Sequence, residues 1–283
     1  MRKRYRALLF ATSLLILLGV AIQHARSTVP PTLVDGVTKE NVKWETSEGD
    51  VSTYVYYPAL PKDAPVVIVV HGFTRSRRYM AGWGVHLARQ GFVVVVPTQP
   101  FFSNHVRNGR ALAGIVKSIR AGTKNLRSAD ANSVGLVGFS MGGLTTLLAA
   151  KQEKVQAWVG LDPVDMNGMG RQVAGSLRSP CAVLKAEPGM WNMHGNANAM
   201  IEAIKAPKLA FKVVGSKHLA PEEPTDLLGQ LACGFKDHKT TVLFRDYTTD
   251  FLKAVLKNDP EALARLRNAG KDAGLAEVVN TFN

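Results

Sequence analysis

Residues Val134-Gly135-Leu136-Val137-Gly138-Phe139-Ser140-Met141-Gly142-Gly143-Leu144 decide how the rest of the chain is read. An apolar stretch over 134–137 runs into a serine flanked by small residues, and a helix-like segment follows over 144–150. The pattern predicts a strand, a sharp turn and a helix, with Ser140 at the apex. Small residues at 138 and 142 leave room for a tight turn. The turn lifts the Ser140 hydroxyl above the sheet, where a carbonyl carbon can reach it. The bare Gly-x-Ser-x-Gly pattern is short and recurs by chance, so its weight comes from the strand before it and the helix after it.

Working outward, nearly continuous apolar runs occupy 64–70, 93–96, 134–137, 155–161, 181–186 and 209–214. Such runs mark strands covered on both faces. Helical patterns lie between them at 79–89, 106–126, 144–151 and 198–204. Strands alternating with helices imply parallel pairing, and right-handed crossovers place helices on both faces of a doubly wound sheet. Period-two alternation over 32–57 predicts antiparallel strands at one sheet edge. The chain after Pro221 reads as mostly helical, with a helix around 246–257. No proline-rich linker divides the sequence, and 283 residues bury one substantial core. Residues 28–283 are therefore read as a single α/β domain. The interval between Leu161 and Pro180 is too short for a large helical lid, which predicts an open site.

Residues 1–27 read as a signal peptide or N-terminal membrane anchor. Arg2, Lys3, Arg4 and Arg6 form a basic head. The mostly apolar run over 8–22 has the length of a signal h-region and is short for a membrane span. Export to the periplasm or exterior is the main expectation, with cleavage near Ala25. Tethering through an uncleaved 8–22 segment, or a buried N-terminal helix, is the alternative. The formal charge of +13 would suit an anionic surface or nucleic acid, but the cations are dispersed. Arg77-Arg78 and 236–239 are too short for a nucleic-acid footprint. A solvated basic surface with no nucleic-acid partner is expected. Cys181 and Cys233 are the two cysteines. Export permits them one disulfide, and two buried free thiols are the alternative.

A serine hydroxyl becomes a useful nucleophile only beside a base that an acid orients. In this architecture the expected chain order is serine, carboxylate, histidine. His194, His218 and His238 follow Ser140. His218, in Gly215-Ser216-Lys217-His218, comes just after the 209–214 strand, and functional groups gather at the carboxyl ends of parallel strands. It is read as the base, with His194 near the pocket and His238 on the polar surface. The acid stays open among three carboxylates. Asp162 directly follows the 155–161 strand and leads, Asp165 lies three residues on, and Glu187 follows the 181–186 strand. Their bland readings are a loop cap for Asp162 and an exposed turn for Glu187. The backbone N–H groups of Met141 and of Phe73, in His71-Gly72-Phe73, are the expected oxyanion donors. His71 is expected to order that loop. Phe101, Phe102, Trp191 and Met193 fall on loops of the same face and are expected to line an apolar acyl or aromatic groove, with core packing the alternative for each. The histidines and acids lack a zinc pattern, and the glycines lack a dinucleotide or Walker signature, so neither metal nor cofactor is expected.

These residues together resemble the α/β-hydrolase superfamily over roughly 40–258. His71-Gly72-Phe73 with Gly138-Phe139-Ser140-Met141-Gly142-Gly143 is similar to the secreted cutinase-like and polyester-hydrolase group. That resemblance implies backbone donors at 73 and 141 and an acid after the next strand, where this chain has Glu187. Leu161-Asp162-Pro163-Val164 is instead similar to chlorophyllases, which implies Asp162 as the acid. Chlorophyllases commonly carry Gly-His-Ser-Arg-Gly at the turn, and Phe139 and Met141 depart from it. The implied activity is hydrolysis of apolar or aromatic carboxylic esters, monomeric or polymeric, through an acyl-enzyme. An amidase or peptidase of the same fold, or a non-catalytic binding scaffold, is the alternative.

Overall fold

A computed structural model describes residues 32–60, 62–123, 126–127, 129–269 and 275–280. The expected leader, residues 1–27, lies outside the described residues. The chain forms one ten-stranded sheet in the order β1-β2-β3-β5-β4-β6-β7-β8-β9-β10. The strands are β1 (Thr32–Val34), β2 (Val37–Thr46), β3 (Gly49–Tyr57), β4 (Ala64–Val70), β5 (Val93–Pro97), β6 (Ala129–Phe139), β7 (Ala157–Leu161), β8 (Cys181–Lys185), β9 (Lys208–Val213) and β10 (Leu275–Asn280). From β5 through β9 every neighbouring pair is parallel. β1, β2 and β3 form the antiparallel edge expected from their alternation. This is the single-domain α/β-hydrolase architecture.

The helices are α1 (Ala81–Arg89), α2 (His105–Arg120), α3 (Met141–Gln152), α4 (Met169–Ala174), α5 (Asn198–Ala203), α6 (Leu227–Cys233), α7 (His238–Leu256) and α8 (Pro260–Asn268). They cover both faces of the sheet and divide the core in two. One half packs α2, α3, α4 and α5 against residues such as Val66, Ile68, Leu136 and Trp158. The other packs α1 and α7 against Val67, Val69, Val137 and Phe211. Because both faces are covered, β4 is buried at every position, and its apolar run matches the strand from end to end.

Four departures from the sequence reading have local causes. α2 stops at Arg120 rather than near 126, because Gly122 takes φ +64° and turns the chain. α3 begins at Met141, ahead of the expected 144, since Gly142 and Gly143 are needed for close approach despite their poor helix propensity. α7 begins at His238, where Asp237 caps it by accepting from the Thr240 N–H. Its early threonines face inward, so the apolar pattern read from 246 onward caught only its second half. Finally, the region after Pro221 is not wholly helical: β10 pairs antiparallel with β9 and ends the sheet. Between Leu161 and Pro180 the chain makes a short 3-10 turn (Met166–Gly168) and α4, with no room for a large lid.

Cys181 and Cys233 are both free. Cys181 lies in the sheet core, where burial pushes its thiol up to about 12. Cys233 is half-buried at the end of α6, and of the two readings left open the free thiols are the one observed.

Gly84 of α1 rests on the buried ring of Tyr56, and a Cβ there would run into that ring. Alanine would gain about 1 kcal/mol of helix propensity. Overpacking a fixed core ring costs about 1–3 kcal/mol. Gly84→Ala should therefore lower stability in urea unfolding despite the better helix former.

Candidate active site

Ser140 follows β6 and precedes α3 with φ 54° and ψ −123°, a backbone state that side chains rarely adopt. Close packing around the turn sustains it. A Cβ at Gly142 would sit 2.5 Å from the His71 carbonyl oxygen and 2.6 Å from that of Val70. Those are backbone atoms of β4 and its exit loop and cannot move aside. The turn is thus pressed against the neighbouring strand end, with the serine hydroxyl aimed outward.

The ends of three strands then supply three side chains. His218, on the loop after β9, has Nε2 2.9 Å from Ser140 Oγ. Its Nδ1 lies 2.6 Å from Asp162 Oδ2, at the end of β7. All three side chains are largely buried. Because Nδ1 faces a carboxylate, it carries the proton, which leaves Nε2 free to accept from the serine hydroxyl. The Asp162 carboxylate also accepts from the Ala186 N–H at 2.9 Å and from Asn192 Nδ2 at 3.0 Å. Phe139 stacks at 5.0 Å on the His218 ring.

The other candidate acids are engaged elsewhere. Asp165 caps α4, accepting from the Gly170 and Arg171 N–H groups at 2.6 and 3.1 Å. Glu187 accepts from the Gly215 N–H at 2.9 Å and faces Lys212 at 3.5 Å. It braces the loop that carries His218 and does not touch the ring. His194 and His238 are exposed.

The Phe73 loop meets the turn closely: a Cβ at Gly72 would lie 3.1 Å from Ser140 Cβ. Neither the Phe73 nor the Met141 N–H bonds an acceptor among the described residues. His71 fixes this loop. Its Nε2 accepts from the Gln99 N–H at 3.0 Å, so Nδ1–H donates to the Gly72 carbonyl at 2.8 Å. Gln99 Nε2 donates back to the His71 carbonyl, and Thr145 donates to Gln99 Oε1. Burial lowers the His71 pKa from 6.5 to about 4, keeping the ring neutral. The structure thus agrees with a loop-ordering histidine.

A family model described as PET hydrolase-like matches residues 36–227. The chain belongs to the PET hydrolase-like family. It is 24% identical to cutinase 2 of Thermobifida cellulosilytica over 251 residues, 86% of this chain and 87% of that one. It is 32% identical to a bis(hydroxyethyl) terephthalate hydrolase of Streptomyces coelicolor over 117 residues. That match spans 40% of this chain and only 38% of the relative. Lipase 1 of a Moraxella strain is 22% identical over 209 residues, covering 72% of this chain and 63% of the lipase. Membership of this family supports a hydrolase.

This PET hydrolase-like chain has a cleft of about 580 Å³ beside Ser140 and His218, walled by Phe73, Met141, Trp191 and Met193. Phe101 and Phe102 do not line it. They border a neighbouring cavity of about 310 Å³. The expected single groove is therefore two spaces that meet at Phe73 and Met141. α6 closes one side of the larger cleft, where Trp191 Nε1 donates to the Ala232 carbonyl at 2.8 Å. Below it Arg75 pairs with Glu222 at 2.8 Å and Asp226 at 3.1 Å. Burial raises the Glu222 pKa, and the adjacent guanidinium opposes that rise. Among the described residues no group of three or more histidines, cysteines and acids is placed to hold a metal.

Sequence reasoning missed Asn192. Its amide nitrogen donates to Asp162 and to the Glu187 carbonyl at 2.9 Å, and its oxygen accepts from the Gly189 and Gly195 N–H groups at 2.8 and 3.1 Å. One side chain thus closes the 189–195 loop and holds the Asp162 carboxylate. The neighbouring glycines hint at a tight loop, but nothing in the sequence tells which way Asn192 faces. The pairing of Arg75 with the buried Glu222, 147 residues away, is likewise not legible in the sequence.

Asn192→Ala removes both functions and should lower kcat about 10- to 100-fold on a soluble ester, whereas Asn198→Ala, at an exposed position of α5, should not; steady-state kinetics compare them. The His71 shift also sets a pH dependence. A depressed folded pKa means the unfolded chain binds the extra proton first. Stability is complete above pH 6.5 and falls as pH drops toward about 4. The loss from His71 between pH 7 and pH 5 is about 2 kcal/mol. Urea unfolding at both pH values should show this difference shrinking by about that amount in His71→Asn.

Proposed function

We propose that the protein is a serine carboxylic ester hydrolase in which Ser140 is the nucleophile, His218 the base and Asp162 the acid. The observation that supports this reading most is the continuous hydrogen-bonded chain from Ser140 Oγ through both ring nitrogens of His218 to Asp162. In the proposed reaction His218 Nε2 takes the serine proton as Oγ attacks the ester carbonyl carbon. The Phe73 and Met141 N–H groups stabilise the tetrahedral oxyanion. The protonated ring then gives its proton to the departing alcohol. Water enters, loses a proton to the same nitrogen and releases the acid, and serine is restored. Asp162 holds the imidazole tautomer and offsets its transient charge.

The substrate class is that of apolar or aromatic esters, including polyester segments. The names of the relatives, cutinases among them, favour it. So does the surface around the cleft, where Phe102, Trp191, Leu227, Leu228 and Leu231 are all exposed. Exposed apolar side chains gathered in one place mark an interaction surface. Such a rim suits a substrate presented on an apolar solid or aggregate. Residues 1–27 are proposed to export the chain, or to tether it if they are retained. Among the described residues no helix is long and apolar enough to cross a membrane.

Kinetics on p-nitrophenyl butyrate test these assignments. Ser140→Ala should lower kcat by about 10⁴-fold or more, and Asp162→Ala by about 10⁴-fold. Glu187→Ala should cost less than about tenfold through its loop contacts. Near-normal activity of Asp162→Ala, with loss in Glu187→Ala, would reverse the choice of acid.

A further inference from the structure

Phe73, whose N–H is the proposed second oxyanion donor, sits on an exposed loop. Before it, His71 and Gln99 hold the chain. After it, the Arg75 N–H reaches the Gly72 carbonyl at 3.4 Å, and Thr74 takes φ 60°, a left-handed state unusual for a β-branched residue. A bond that long closes the turn weakly. The loop needs a second anchor, and the Arg75 side chain supplies one. Its Nε donates to Glu222 Oε1 at 2.8 Å and its Nη1 to Asp226 Oδ2 at 3.1 Å. The guanidinium carbon lies 4.5 Å over the centre of the Tyr79 ring.

The far end of that ion pair belongs to the histidine loop. Two consecutive turns join His218 to Glu222: the Ala220 N–H donates to the Lys217 carbonyl and the Glu222 N–H to the Leu219 carbonyl, both at 2.9 Å. The next residue docks on the segment beyond Arg75. The Glu223 N–H donates to the Tyr79 carbonyl at 2.9 Å, and the Gly82 N–H donates to the Glu223 carbonyl at 2.8 Å. Thr225 Oγ1 donates to the second Glu222 oxygen at 3.1 Å. Asp226 accepts from the Tyr79 hydroxyl and caps α6 through the Gly229 N–H. The guanidinium also presses on α6, where a Cβ at Gly229 would lie 2.1 Å from Arg75 Nη2. One cation thus ties together the oxyanion loop, the histidine loop and the helix that walls the cleft.

Glu222 is fully buried and the Arg75 side chain nearly so. A buried ion pair contributes little net stability, because both charges give up water. What it fixes is geometry, since a planar fork between two carboxylates has few arrangements. The reaction depends on such a constraint. Negative charge grows on an oxygen facing the Phe73 N–H while His218 carries the serine proton, so both loops must keep their spacing through the step. We propose that Arg75 and Glu222 are positioning residues that hold the Phe73 N–H in register with His218 and Ser140 as the oxyanion forms. Among the described residues neither side chain bonds Ser140 or His218, so they act through the two loops. The inference rests on the ester-hydrolase reading and adds to it a pair of residues that shape the transition state.

The test combines p-nitrophenyl butyrate kinetics with binding of phenylboronic acid, whose boron takes the serine oxygen and places its own oxygen where the oxyanion forms. In Arg75→Met, kcat should fall about 10- to 100-fold with KM within about twofold, and the boronic acid should bind more weakly by about the same factor as kcat falls. Arg75→Lys keeps the charge but not the fork, and should lie between wild type and Arg75→Met on both readouts. The double variant Arg75→Met with Glu222→Met strands no buried carboxylate, and its kcat and boronic acid affinity should stay low. Wild-type values in the double variant overturn the proposal, because the loss then came from a stranded charge. Wild-type kcat in Arg75→Met, whatever its stability in urea, overturns it too. So does a raised KM with kcat unchanged, the mark of a side chain that contacts substrate directly from the cleft wall. If neither methionine variant folds, Arg75→Lys decides, and wild-type values there overturn the proposal. Turnover by wild type separates the two levels. With turnover present and the variants unchanged, only the positioning role fails; with no turnover by wild type, the hydrolase reading fails and takes the positioning role with it.

Discussion

A histidine that must touch a serine on one side and a carboxylate on the other constrains everything around it. The three groups come from the ends of β6, β7 and β9, and the distances of 2.9 and 2.6 Å leave little tolerance. Only strands that run in the same direction deliver their carboxyl ends to one edge. The parallel block from β5 to β9 is thus the condition for the site, and the valine-rich, doubly covered strands are the condition for the block. The cost appears as backbone strain at Ser140 and Asp162, both at positive φ, held by close packing of Gly142 and by the Ala186 and Asn192 donors.

Much of this was legible in the sequence because burial on both faces writes itself as unbroken apolar runs. β4 was read residue for residue. His218 could be placed because it follows the last long run within a few residues. The acid could not be settled that way, since Asp162, Asp165 and Glu187 all follow strand ends. What separates them is the direction in which neighbouring donors point, and that depends on contacts across loops distant in sequence. β10 escaped notice because Leu275–Asn280 is short and lacks alternation. His105 reads in the sequence as an ordinary helix start, and only the folded chain shows it buried and unpaired.

The loop from 187 to 196 joins the chemistry to the substrate wall. Glu187 at its start braces Gly215, upstream of His218, and Asn192 in its middle holds Asp162. Met190, Trp191 and Met193 from the same loop face the larger cleft. The resemblance to the cutinase-like and polyester-hydrolase group implied an acid at Glu187. In this chain its carboxylate has a supporting part, and the carboxylate that meets the histidine sits one strand earlier. The loop remains central to the site although the carboxylate that meets the histidine lies outside it.

The most direct test is covalent. Reaction of the folded protein with a p-nitrophenyl alkylphosphonate, followed by intact mass and peptide mapping, reads which hydroxyl the imidazole activates. The account predicts one phosphonyl group per chain, located on Ser140, with labelling that tracks loss of activity and is abolished in His218→Ala. Complete inactivation with Ser140 unmodified, or equal labelling rates with and without the imidazole, would contradict it.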